Sequence, residues 1–211
     1  SKKTHEYLTL SSNRTATGDA VGIIITDNCK YFISHRRVQS FKNGKTIDIY
    51  RSDNSNIELS HYVVQEDRAI LFTSRGNFLL SNGKLSPLHD VLKITPEEAN
   101  IYNFGHFFRD KWVLCNSFGT KWLEIGHDSS GKLAVQSTFN AAENLTENEF
   151  IISYDFRENL NKAVAISNLG NLYQVNGNKL QLIPHNFNET IERPLDIMID
   201  LNGDYWVSSF I

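Results

Sequence analysis

The chain has 211 residues, 40% of them hydrophobic, and a formal net charge of −3 with both signs spread along its length. This is a globular composition, long enough to bury a sizeable core, and without a Lys/Arg cluster it lacks the electrostatic footprint of a nucleic-acid binder. No apolar run approaches the roughly 18 residues of a spanning helix, so this segment does not insert into a membrane, and SKKTHEYLTL at the start is not an intact signal peptide.

In chain order, the first predicted element is a short strand, HEYLTL (5–10). IIITDNCKYFIS (23–34) then reads as an apolar strand, a polar turn and a second apolar strand ending in serine, and RRVQSFKNGKTIDIY (36–50) adds a second hairpin around Asn43-Gly44. The pattern returns in VVQEDRAILFTS (63–74) and SRGNFLLSNGKLSPL (74–88), with Asn82-Gly83 as the outer turn. ITPEEANIYNF (94–104) predicts one or two helical turns between copies: Thr95 suits the cap, Pro96 the first helical position, and Glu97 and Glu98 the first turn. A third copy, HFFRDKWVLCNS (106–117) and NSFGTKWLEIGHDSSGKLAV (116–135), turns at Ser130-Gly131, and AAENLTENEF (141–150) is a polar connection. The fourth is ISYDFRENLNKAVAIS (152–167) with SNLGNLYQVNGNKLQLI (167–183), turning at Asn176-Gly177. In the last copy, DIMIDLNGDYWVSS (196–209), Asn202-Gly203 predicts a type I′ hairpin, whose two central residues both need positive φ.

The serines that close the second strands, Ser34, Ser74, Ser117, Ser167 and Ser208, are 40, 43, 50 and 41 residues apart. A repeat of about 40–50 residues with several strands per copy is the mark of propeller blades. The predicted fold is all-β: a β-propeller, one domain over 1–211, with four complete four-stranded blades at 21–52, 61–89, 101–139 and 149–186. A fifth, partial blade at 194–211 is open to sharing by the strand at 5–10, and a piece of a larger propeller fits equally. Strand aromatics such as Phe32, Phe72, Trp112 and Trp206 are expected to fill the wedge between blades.

The strand, aromatic, Ser and Gly-turn pattern resembles the two-component regulator propeller repeat. Asp200, Asn202, Gly203, Asp204, Tyr205, Trp206, Val207 and Ser208 match that blade well. Leu71 to Leu79 and Ile166 to Tyr173 match its second half, while Asp27-Asn28-Cys29 and Asp67-Arg68-Ala69 lack the turn glycine and the Asp155–Lys162 turn is expanded. The resemblance implies the sensor ectodomain of a hybrid two-component histidine kinase, periplasmic or extracellular, recognising a carbohydrate. This chain carries no kinase, receiver or DNA-binding segment, so its partners would include the remaining domains of such a sensor; a homodimer is admitted.

Catalytic and cofactor motifs are missing from the sequence: there is no GxGxxG, P-loop, GxSxG, HExxH or CxxC. The expectation is a non-enzyme without cofactor or metal. Asp200 to Asp204 reads as a turn, lacking the frame of a calcium loop. Cys29 and Cys115 occupy non-equivalent places in distant copies and are read as free thiols. His61 and His106 open inner strands of consecutive blades and would meet near the axis, as hydrogen-bonded strand-end residues. A glycosidase-like enzyme would need paired acids in the channel; Asp67, Asp110, Asp155 and Asp196 are the candidates, and convergence of Asp155 with Asp196 would favour it. The remaining reading is binding by the loops after each second strand, which gather on one face: Arg36, Arg37, Arg75, Asn77, Lys121, Asn168 and Asn171 are the candidate ligand residues, their donors suited to an oligosaccharide or other small polar ligand. The alternative is a protein–protein interaction scaffold.

Overall fold

Strands that are apolar on both faces must be covered on both faces. The second strand of the middle copies has this character, and burial runs along the whole of it: four consecutive buried residues in Ala69–Phe72 and Trp112–Cys115, and five in Ala163–Ser167. A computed structural model of the protein describes residues 20–26, 29–34, 36–42, 44–51, 57–176, 179–185 and 193–210. The strand predicted at 5–10, and Asn43 and Gly177 of two predicted turns, lie outside these residues.

Blade one comprises β1 (Ala20–Ile25), β2 (Lys30–Ser34), β3 (Arg37–Lys42) and β4 (Lys45–Arg51). Blade two comprises β5 (Leu59–Gln65), β6 (Arg68–Thr73), β7 (Gly76–Ser81) and β8 (Lys84–Pro87). Helical turns α1 (Leu88–Leu92) and α2 (Pro96–Asn100) lead to blade three: β9 (Tyr102–Phe108), β10 (Lys111–Asn116), β11 (Lys121–His127) and β12 (Leu133–Asn140). A 3-10 turn (Ala141–Asn144) precedes blade four: β13 (Ile151–Arg157), β14 (Lys162–Ser167), β15 (Leu172–Asn176) and β16 (Lys179–Leu182). Blade five contains β17 (Pro194–Ile199) and β18 (Tyr205–Ser209). Each sheet is an antiparallel meander in sequence order, and the first strands β5, β9, β13 and β17 are neighbours in turn, which makes them the inner strands of a β-propeller.

Alternation along the second strands builds the interfaces. Ala69 and Leu71 pack on Tyr31 and Ile33 of blade one, while Ile70 and Phe72 pack on Trp112 and Leu114 of blade three. Val113 and Cys115 meet Ala163 and Ala165 of blade four, and Val164 and Ile166 meet Ile197 and Ile199 of blade five. Each fully buried Leu, Ile or Phe contributes about 1.5–3 kcal/mol. Phe72 and Trp112 thus fill the wedges as expected. Phe32 and Trp206 do not. Phe32 is half-buried on the face of blade one turned away from blade two, edge-on to Phe41 at 6.2 Å. Trp206 is 61% exposed, on the face of blade five opposite Ile197 and Ile199.

Two local expectations need correction. The Asp200–Asp204 turn is not type I′: Gly203 has φ +87° but Asn202 is not in the left-handed region. The Asp200 carboxylate accepts the N–H groups of Asn202 (2.8 Å) and Asp204 (2.9 Å) and Trp206 Nε1–H (3.0 Å), which selects a longer turn closed by Gly203 alone. The helix in 94–104 is present, with Thr95 Oγ1 accepting from Glu98 N–H at 3.1 Å, but a further helical turn, Leu88–Leu92, precedes it. By contrast Asn82-Gly83 has φ of 51° and 74°, as a type I′ turn requires.

Candidate functional site

The turns from the second to the third strands are organised by one side chain each, at the end of the second strand. Thr73 Oγ1 accepts Arg75 N–H and donates to the Gly76 carbonyl, Asn116 Oδ1 accepts from Thr120 and Lys121, and Ser167 Oγ accepts from Leu169 and Asn171. In blades two and three the capping position is therefore one residue before the aligned serine. Those serines reach sideways instead: Ser74 Oγ accepts Glu58 N–H, and Ser117 Oγ donates to Asn103 Oδ1 at 2.6 Å.

Three of the seven candidate ligand residues have their side chains engaged inside the protein. Asn77 is 4% exposed, and its amide donates to the carbonyls of Ala99 (2.7 Å) and Tyr102 (2.8 Å). Asn168 accepts from Phe150 N–H and donates to the Asn148 carbonyl. Asn171 donates to Glu149 Oε1 at 2.8 Å. These bonds fasten the turns to the connections between blades. Arg36, Arg75 and Lys121 are exposed and Arg37 is half-buried, each in a different turn except the adjacent Arg36 and Arg37.

Of the seven, Arg75 and Asn77 line a common cavity, of about 380 Å³, at the junction of blades two and three. Ser60, Thr73 and Ser74 line it from blade two, Asn100 from the end of α2, and Tyr102 and Asn103 from the start of β9. Gly76 lets the two sides meet: its φ is +112°, and a Cβ there would lie 3.0 Å from Asn100 Oδ1. Asn100 and Asn103 escape sequence reasoning because they precede the repeated stretch 106–117, Asn100 at the end of the capped helical turn and Asn103 at the start of β9.

Beside the cavity runs an exposed apolar strip. Phe118 (60% exposed) meets Phe150 edge-on at 5.9 Å, and Leu169 (49% exposed) follows Asn168 in the adjoining turn. On the inner strands His61 and His106 do come together, with ring centroids 6.3 Å apart. His61 Nε2 bonds the Gly105 carbonyl at 3.1 Å. His106 packs against Phe156 at 4.8 Å, and burial, helped by His61 and opposed by Asp155, lowers its pKa to about 4.

The inner-strand acids are structural in their contacts. Asp155 Oδ2 accepts from Ile199 N–H (2.8 Å) and Arg157 Nε–H (3.1 Å), while Asp196 Oδ1 accepts from Ser153 Oγ and Ile197 N–H. Asp67 pairs with the adjacent Arg68 at 3.7 Å, and Asp110 sits in a turn at φ +59°. Among the described residues no group of three or more His, Cys, Asp and Glu is gathered for a metal ion, Cys29 and Cys115 are free thiols, and no helix is long and apolar enough to cross a membrane.

No protein-family model matches the chain, and no curated protein is similar to it. Solved structures do match. The computationally designed Ika8 protein aligns with a TM-score of 0.52 and 11% identity over 90% of this chain and 58% of its own. The WD40 β-propeller domain of Doa1 aligns at 0.48 and 13%, over 90% of this chain and 60% of its own. The extracellular domain of BT4673, named as a hybrid two component system of B. thetaiotaomicron, aligns at 0.44 and 12%, over 90% of this chain and 31% of its own. The chain therefore spans less than two thirds of these proteins, and at such identities the likeness concerns the propeller fold alone.

Proposed function

We propose that this chain is a non-catalytic, ligand-binding propeller, part of the periplasmic or extracellular sensor of a two-component signalling protein, and that it recognises a carbohydrate-like ligand. The observation that carries the reading is the polar cavity of about 380 Å³ under the Arg75 turn, on a face whose turns are fastened to the inter-blade connections by buried or half-buried amides. A rigid scaffold presenting several hydrogen-bonding groups in a concave site suits a small polyhydroxylated molecule. The match of Asp200–Ser208 to the two-component regulator propeller repeat supports the sensor role and the compartment. The internal bonds of Asp155 and Asp196 support a role in holding β17 against β13 over a role in catalysis.

The test is an NMR titration of the 211-residue chain with a panel of neutral and acidic oligosaccharides. Shift changes concentrated at residues 72–77 and 100–103 are expected for at least one sugar, weakened by Asn103→Ala. A panel without any response there would refute the proposal. A second reading, an interaction scaffold, is favoured by the Phe118, Phe150 and Leu169 strip; retention of a protein partner that depends on Phe118 rather than Asn103 would select it.

A further inference from the structure

Hydrogen-bond bookkeeping around the cavity shows which groups are left for a ligand. Thr73 Oγ1 both donates (to the Gly76 carbonyl, 2.7 Å) and accepts (from Arg75 N–H, 3.1 Å). Ser60 Oγ donates to the Phe72 carbonyl at 3.0 Å, and both amide hydrogens of Asn77 are engaged. Asn100 and Asn103 each have the carbonyl oxygen engaged, by Asn77 N–H at 3.2 Å and by Ser117 Oγ at 2.6 Å. What remains at both is the NH2 group. Ser74 Oγ already accepts from Glu58 N–H at 3.0 Å and retains its hydrogen. Arg75 is exposed, its guanidinium has no ion pair among the described residues, and it is the only charged residue of the lining.

Asn77 Oδ1 is left as an acceptor, but the free side-chain donors of the lining outnumber it: the NH2 groups of Asn100 and Asn103, the Ser74 hydroxyl and, as the single positive charge, the Arg75 guanidinium. A neutral sugar, whose hydroxyls both donate and accept, leaves such a site half matched; an oxyanion, which only accepts, matches it. We infer that the ligand bears a carboxylate or sulfate that docks between the Arg75 guanidinium and the NH2 groups of Asn100 and Asn103. This rests on the polar-ligand reading above and narrows it to acidic ligands. Arg supplies the planar fork that grips such groups with two parallel bonds, and charge-assisted bonds of this kind are about twice as strong as neutral ones.

The experiment titrates the 211-residue chain, by NMR and calorimetry at low ionic strength, with trigalacturonate, galactose 6-sulfate and neutral galactotriose. At least one acidic probe should bind about tenfold or more tightly than galactotriose, with shifts at residues 72–77 and 100–103 and weakening by added salt; which acid is preferred separates carboxylate from sulfate. Arg75→Gln, at an exposed turn position, should fold normally and abolish the preference. Equal binding of all three probes, unchanged by Arg75→Gln but weakened by Asn103→Ala, overturns the anion inference and leaves the polar-ligand reading standing. If no probe perturbs the cavity, both fail.

Discussion

Replacing Glu149 by glutamine tests whether the turn of blade four is held by a buried charge. Glu149 is 7% exposed. Its Oε2 accepts from Thr146 N–H (3.0 Å) and Thr146 Oγ1 (2.7 Å), and its Oε1 from Asn171 Nδ2 and Tyr173 Oη, both at 2.8 Å. Burial alone would raise its pKa, but the donors of Ser167, Thr146 and Asn171 outweigh it and bring the group from the usual 4.5 to about 2. That difference corresponds to about 3 kcal/mol favouring the charged form in the folded state. In Glu149→Gln one oxygen becomes an NH2 that faces two donors, so a loss of about 2–4 kcal/mol at pH 7 is expected. The sign with pH follows from linkage: the unfolded chain takes up its proton near 4.5 and the folded one only near 2. The stabilisation is complete above 4.5 and disappears as pH falls towards 2, so the gap between wild type and variant should close over that window. Urea unfolding followed by tryptophan fluorescence measures it at pH 7, 4 and 3. A variant within about 0.5 kcal/mol of wild type at pH 7, or a gap unchanged down to pH 3, would refute the reasoning.

His106 should produce a separate, earlier acid step. Burial lowers its pKa from 6.5 to about 4, so the unfolded chain binds this proton first and stability declines between those values; His106→Phe should flatten the curve there, and an unaltered slope would exclude His106 as its source. Trp112 and Trp206 should differ sharply in the same assay. Trp112, 1% exposed against blade two, should cost about 3–5 kcal/mol when replaced by alanine. Trp206, 61% exposed, should cost less than about 1 kcal/mol; a large loss there would mean that the outer face of blade five is covered in solution.

The blade architecture was legible because it is written in short-range signals. Period-two alternation, hairpin glycines such as Gly83 and Gly131, and the Thr95 cap each act within a few residues. Side-chain fates that depend on the next blade were not legible. Phe72 and Trp206 look alike within their strands, but Phe72 has blade three against it and Trp206 faces solvent. The Asp200 turn defeated the Asn-Gly signal because a carboxylate two residues before Asn202 captured two backbone N–H groups. Leu88–Leu92 was too short for periodicity to reveal, although Leu88 and Leu92, four apart, are both buried.

The candidate site divided along the same line. Residue type suggested donors near the turns, and donors are there, but type cannot say which way an amide faces. Asn77 and Asn103 are both asparagines beside the same cavity. Asn77 faces inward because the connection at Ala99–Tyr102 ends with two carbonyls that need donors. Asn103 has only its oxygen engaged, by a serine that the cap at Asn116 leaves free to turn sideways. The asparagines at 77, 168 and 171 therefore do for the site what a binding residue cannot do for itself: they fix the turn, and so fix where Arg75 and the Phe118–Leu169 strip stand. Selection for a new ligand can change Arg75, Lys121 or Phe118, which are exposed, at little cost to the fold, whereas a change at Asn77 leaves two buried carbonyls without a donor.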